Sequence, residues 1–149
     1  MTKILFICLG NICRSTMAEF VMKDLVNKAG ISDNFHIESA ATSRYEIGND
    51  TDPRTKRKLT EMGVPFTKRK ARQMTKADYD EFDYIVAMED DNIRNIMKII
   101  GSDPENKVSK LLDFTGRNED ITDPWYTGNF DDTWDDVLEG CSGLLERFL

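Results

Sequence analysis

Apolar positions along the chain fall into short runs that alternate with helical stripes. "KILFIC" (Lys3–Cys8) is a continuous apolar run rich in β-formers, the pattern of a strand buried on both faces. After a turn sequence, Ala18, Val21, Met22, Leu25 and Ala29 repeat at helical spacing, and Gly30 closes the helix. "FHIESA" (Phe35–Ala40) reads as a second short strand. Asp52 is placed to cap a helix that has Pro53 at its first position and Gly63 at its end. "FDYIVAM" (Phe82–Met88) is a third strand, and Ile93, Ile96, Met97 and Ile100 then mark one face of a helix that stops at Gly101. "KVSKLLDF" (Lys107–Phe114) reads as a fourth strand. From Phe114 to Asn129 the periodicity lapses into Gly, Pro, Asp and aromatics, and loops of that length are often functional. Trp134, Val137, Leu138, Cys141, Leu145 and Phe148 form the stripe of a last amphipathic helix.

Strands alternating with helices predict βαβ units, hence a three-layer α/β fold with a four-stranded parallel sheet flanked by helices on both faces. No repeat or linker divides the chain, so residues 1–149 are expected to form one domain.

Composition narrows the function classes. No apolar stretch approaches the roughly 20 residues a membrane span needs. The first ten residues turn polar too soon for a secretory signal, which predicts a cytoplasmic location. Three cysteines without paired spacing, and a single histidine, His36, argue against a disulfide framework or a metal site. No metal or cofactor is expected. The net charge of −7 disfavours nucleic acid as a partner. Basic residues cluster from Arg54 to Lys76 and acidic ones from Asp113 to Glu139, as two solvated faces or a docking surface.

The candidate chemistry lies in "CLGNICRST", residues 8–16. Ligands of open α/β sheets bind beyond the carboxyl ends of the strands, where Cys8 is expected. A loop entering a helix turns backbone N–H groups inward as an anion cradle, formed here by Leu9, Gly10, Asn11, Ile12, Cys13 and Ser15. Gly10 and Asn11 tolerate the backbone angles that such a loop needs. Arg14 adds a planar fork suited to two phosphate oxygens. A thiol facing these dipoles and a guanidinium ionises readily, and the cradle that favours the thiolate also seats a phosphate over it. That arrangement permits a phosphocysteine intermediate, with Ser15 donating to the sulfur. The plain alternative for Cys8 is a buried strand-end thiol. The loop lacks the G-K-[ST] of a nucleotide-binding P-loop.

Expelling an alkoxide or phenolate requires a general acid. His36 lies in a predicted strand and reads as packing. Asp123, in "ITDPWYTG", could protonate the leaving oxygen and then activate water, although Asp-Pro is equally a turn. Tyr45, Trp125 and Tyr126 could wall a slot deep enough to favour aryl phosphates, with core packing the competitor for Trp125.

"CLGNICRSTMAE" resembles the signature of the low-molecular-weight protein tyrosine phosphatases. The likeness extends to "SAATSRYEIG", "DPRTKRKLTEMG", "KARQMTKADYDEFDYIVAMEDDN" and "DPWYTGNFDD", in the expected order and over nearly the whole chain. It implies a four-stranded parallel sheet and metal-independent hydrolysis of phosphotyrosine in proteins. By motif, Cys8 takes the nucleophile's place, Arg14 the phosphate clamp's and Asp123 the acid/base's. Asn11 and Ser39 match the pair that holds the loop in shape, and Ser15 the hydroxyl that assists the thiol. Cys13 matches the second loop cysteine, which the resemblance implies can bond reversibly to the nucleophile. Tyr126 matches a loop tyrosine that is sometimes phosphorylated in the family. Thr16 stands where many members have Pro, and Trp125 where many have Tyr.

Two other readings use the same loop. A thioredoxin-coupled arsenate reductase would need a relay cysteine, and only Cys141 lies outside the loop, on an apolar stripe. A noncatalytic phosphotyrosine-binding module would need none of Cys8, Arg14 and Asp123 for catalysis, yet all three are present.

Overall fold

The computed structural model describes residues 1–149. Four strands, β1 (Thr2–Cys8), β2 (Phe35–Ala41), β3 (Tyr84–Ala87) and β4 (Val108–Lys110), form one sheet in the order β2-β1-β3-β4. Every pairing is parallel, and Cys8 lies opposite Ala41 at the carboxyl end of β1. The chain leaves β1 for β2 on one side and returns to β3 on the other, so Cys8 sits at a topological switch point.

Strand alternation divides the core between the two faces of the sheet. Ile4 and Phe6 of β1, with Val86 of β3, pack beneath α1 (Arg14–Lys28) and α6 (Phe130–Glu146). Leu5 and Ile7, with Ile85 and Ala87, pack against α3 (Ala77–Glu81) and α4 (Asp90–Ile100). The remaining helices are α2 (Pro53–Glu61) and the single turn α5 (Pro124–Thr127). No helix is long and apolar enough to cross a membrane.

Local chemistry accounts for the helix ends. The Asp52 carboxylate accepts from the Arg54 N–H with Pro53 at the first position, and Gly63 and Gly101 take positive φ just past α2 and α4. The last helix comes close to the segment beneath it. A Cβ at Gly143 would stand 2.6 Å from the Phe114 carbonyl oxygen, so glycine is what permits the approach.

Three expectations need correction. The fourth strand stops at Lys110, and Leu111–Thr115 form a 3₁₀ turn. The Asp113 carboxylate accepts the Lys110 N–H at 2.9 Å and Gly116 closes the turn in the left-handed region, a local alternative to the ladder. The segment from Phe114 to Asn129 is not wholly irregular, since α5 lies within it. On α1 the apolar stripe ends early: Ala29 is exposed and Val26 takes the buried place, while Arg14, Ser15 and Glu19 are buried despite their polarity. Those three serve the loop rather than the core.

Candidate active site

The loop from Cys8 to Arg14 is held from outside. The carbonyls of Cys8 and Leu9 accept from the Thr42 and Ser43 N–H groups (3.0 and 3.1 Å), and that of Ile12 accepts from Asp52 N–H (2.9 Å). With its carbonyls turned outward, the loop leaves the N–H groups of Gly10, Ile12 and Cys13 without a protein acceptor. Such a ring of free donors is an anion cradle.

Asn11 is fully buried at φ 60°, so Asn11 makes the left-handed turn. The expectation that Gly10 shares this role is corrected, because Gly10 has no positive φ. The Asn11 amide then distributes four bonds. Its Nδ2 donates to Ser15 Oγ and Ser39 Oγ, both at 2.9 Å. Its Oδ1 accepts from the Arg72 N–H at 3.2 Å and from the Arg69 guanidinium. Ser39 in turn donates to Glu19 Oε1 at 2.5 Å.

These bonds orient the groups around sulfur. Asn11 N–H donates to Cys8 Sγ at 3.3 Å, and Ser15 Oγ lies 3.0 Å from the same atom. Because Ser15 Oγ already accepts from Asn11, its own proton is free to point at the sulfur.

Arg14 is 1% exposed and crosses the floor of the site. Its Nη1 donates to the Ile121 carbonyl at 2.7 Å and pairs with Glu89 Oε2 at 3.1 Å. Its Nη2 reaches Asp123 Oδ2 at 3.3 Å. Burial alone would lower the Arg14 pKa, but the negative charge of Cys8, Glu89 and Asp123 raises it. Asp123 has two roles in the geometry: Oδ2 faces Arg14 while Oδ1 caps α5 through the Trp125 N–H at 3.0 Å. The Asp-Pro turn and the site carboxylate are one residue.

Cys8, Arg14 and Asp123 line one cavity of about 130 Å³ with Leu9, Gly10, Ile12 and Cys13. Tyr45, Trp125 and Tyr126 form its rim, 79%, 51% and 76% exposed, so core packing does not explain Trp125. The side chains of Asn11, Ser15 and Ser39 bond to one another behind the cradle. Burial, with the negative charge of Asp52 and Cys8 nearby, pushes the Cys13 thiol up to about 12, so it stays protonated. Cys141 is wholly buried against α1, its Sγ 3.7 Å from the Ala18 carbonyl. His36 lies away from this cavity, stacked on Phe82 with ring centroids 6.0 Å apart and in contact with Glu38.

Several site residues escape a reading of the sequence. Glu89 lies just past the carboxyl end of β3, where the strand-end rule that singles out Cys8 also applies. Arg69 and Arg72 sit in a basic run that resembles a solvated face. Glu46 lines the cavity beside Tyr45, and Arg54 stacks on Trp125 at 5.3 Å from the ring centroid.

Comparison with known proteins gives a consistent result. The family model described as low molecular weight phosphotyrosine protein phosphatase matches residues 3–148. The low molecular weight protein-tyrosine-phosphatase YfkJ of Bacillus subtilis is 38% identical over 147 residues, covering 97% of this chain and 94% of its own. The Homo sapiens low molecular weight phosphotyrosine protein phosphatase is 37% identical over 149 residues, covering 97% and 94%. The crystal structure of the Bacillus subtilis YfkJ protein superposes with a TM-score of 0.94, covering 99% of this chain and 94% of that one. The chain belongs to the low molecular weight phosphotyrosine protein phosphatase family.

Proposed function

We propose that the chain acts as one phosphatase domain in which Cys8 attacks phosphorus, Arg14 holds the phosphoryl oxygens and Asp123 moves the protons. The protein is a protein-tyrosine phosphatase, and its substrates are phosphoproteins. In the first step the Cys8 thiolate forms an S–P bond as the P–O bond to the phenol breaks. Asp123 gives its proton to the departing oxygen. In the second step the Asp123 carboxylate takes a proton from water, whose oxygen attacks phosphorus. The S–P bond breaks, the thiolate is restored with Ser15 donating to it, and inorganic phosphate leaves. The N–H groups of Gly10, Ile12 and Cys13, with Arg14, hold the equatorial oxygens through both steps. Tyr45, Trp125 and Tyr126 flank an aryl ring on its way to the sulfur.

The observation that carries this reading is the convergence of Cys8, Arg14 and Asp123 on one cavity with unpaired N–H donors. Wild-type protein should hydrolyse p-nitrophenyl phosphate in EDTA at mildly acidic pH, with inorganic phosphate as a competitive inhibitor. Folded protein that binds phosphate without turnover would instead be a binding module.

Cys13 lines the same cavity as Cys8 and is assigned as its redox partner. Peroxide converts the Cys8 thiolate to a sulfenic acid, and the Cys13 thiol displaces water from it to give a disulfide. Dithiothreitol should therefore restore activity after peroxide in the wild type but not in Cys13→Ser. Equal recovery in both proteins would remove Cys13 from this role. Three unpaired cysteines fit a reducing, cytoplasmic setting. Cys141, buried in the core, gives no support to an outward disulfide relay of the reductase kind.

A further inference from the structure

Four of the nine cations between Arg54 and Lys76 have acidic partners. Arg54 sits on Asp52 (3.0 Å), Lys56 on Asp50 (2.5 Å), Lys58 on Asp131 (2.6 Å) and Arg72 on Asp78 (3.0 Å). Arg57 differs. It is exposed on α2, and the carboxylates around it are already engaged by Arg54 and Lys58.

Arg57 also has a place to act. With Arg54 and Lys58 it lines a cavity of about 440 Å³ between α2 and the Thr127–Asn129 turn that joins α5 to α6. Glu61 and Asp131 line it too, but both pair with Lys58, at 3.4 and 2.6 Å. Asp52 likewise answers Arg54. Arg57 is therefore the uncompensated charge of the cavity.

This cavity shares a wall with the active site. The Arg54 guanidinium lies over the Trp125 ring at 5.3 Å on one side and over the Phe130 ring at 4.9 Å on the other. Trp125 lines the Cys8 cavity and Phe130 lines the Arg57 cavity. A substrate segment with its phosphotyrosine at Cys8 would carry neighbouring side chains over this wall, at about 3.3 Å of extended chain per residue.

We propose that the cavity is a subsite for the carboxylate of an Asp or Glu side chain flanking the phosphotyrosine, with Arg57 as the cation that recognises it. The inference rests on the phosphatase reading and extends it to the class of phosphoprotein favoured. An exposed pair is screened by salt, so the preference appears mainly in KM and shrinks as ionic strength rises.

The test uses matched phosphotyrosine peptides flanked by Glu or by Lys, with kcat/KM measured for the wild type, Arg57→Glu and Lys70→Glu. Lys70 is an exposed cation of the same basic run that does not line the cavity. The wild type should favour the Glu-flanked peptide about fivefold at low salt, the scale of an exposed ion pair. Arg57→Glu should abolish or reverse that ratio, and Lys70→Glu should leave it near the wild-type value. A ratio unmoved by Arg57→Glu, or moved equally by both variants, overturns the subsite while p-nitrophenyl phosphate turnover keeps the phosphatase reading intact. A wild type that hydrolyses neither the peptides nor p-nitrophenyl phosphate overturns both.

Discussion

Cys8→Ser should lower p-nitrophenyl phosphate turnover by at least about 10⁴-fold, the scale of losing a covalent nucleophile, while inorganic phosphate still binds. The reason lies in what surrounds the sulfur. Its partners are the Asn11 N–H and the Ser15 hydroxyl, and the hydroxyl is committed as an acceptor to Asn11. Both groups face Cys8 as donors. A thiolate needs no base beside it, whereas a serine hydroxyl at the same place would have nothing to take its proton. The cradle depends on backbone N–H groups and Arg14, which the substitution leaves in place. Calorimetric titration with phosphate and the steady-state assay on the same preparation check both halves. Turnover within tenfold of wild type would exclude Cys8 as nucleophile.

The architecture is readable along the chain because its signals are local. A continuous apolar run marks β1, a stripe marks α4, and Asp52-Pro53 and Gly101 mark helix ends by chemistry contained within a few residues. The loop chemistry is local too, with Cys8, Asn11, Arg14 and Ser15 inside one turn of chain. What the sequence hides is the support of that loop beyond the Asn11–Ser39 pair. Glu89 is 75 positions from Arg14 and the Ile121 carbonyl 107, so no spacing rule connects them. Arg69 and Arg72 look like surface charge in a basic run, yet both bond to the buried oxygen of Asn11. The end of β4 is lost for the opposite reason. Lys110 to Phe114 is apolar enough for a strand, but the nearby Asp113 carboxylate offers the backbone a turn instead.

Asp123→Ala should slow phenyl phosphate hydrolysis by roughly 10²–10⁴, the worth of a positioned general acid. The loss should be smaller on p-nitrophenyl phosphate, because a stabilised phenolate departs with less need of a proton. Two features of Asp123 would otherwise confuse the result. Its Oδ1 caps α5 at the Trp125 N–H, and its Oδ2 faces Arg14 at 3.3 Å, so alanine removes a cap and an ion-pair partner together with the acid. Losing such a cap costs about 1 kcal/mol. Asp123→Asn separates these effects, since an amide oxygen caps a helix but an amide supplies no acidic proton. Asn should therefore melt closer to wild type than Ala does and yet lose phenyl phosphate turnover nearly as completely. The leaving-group dependence gives a second readout. In the wild type the rate should change little between phenyl and p-nitrophenyl phosphate, and in both variants it should fall steeply with the poorer leaving group. A well-folded Asn variant within tenfold of wild type on phenyl phosphate would remove Asp123 from proton transfer and leave it as the residue that caps α5 beside Arg14.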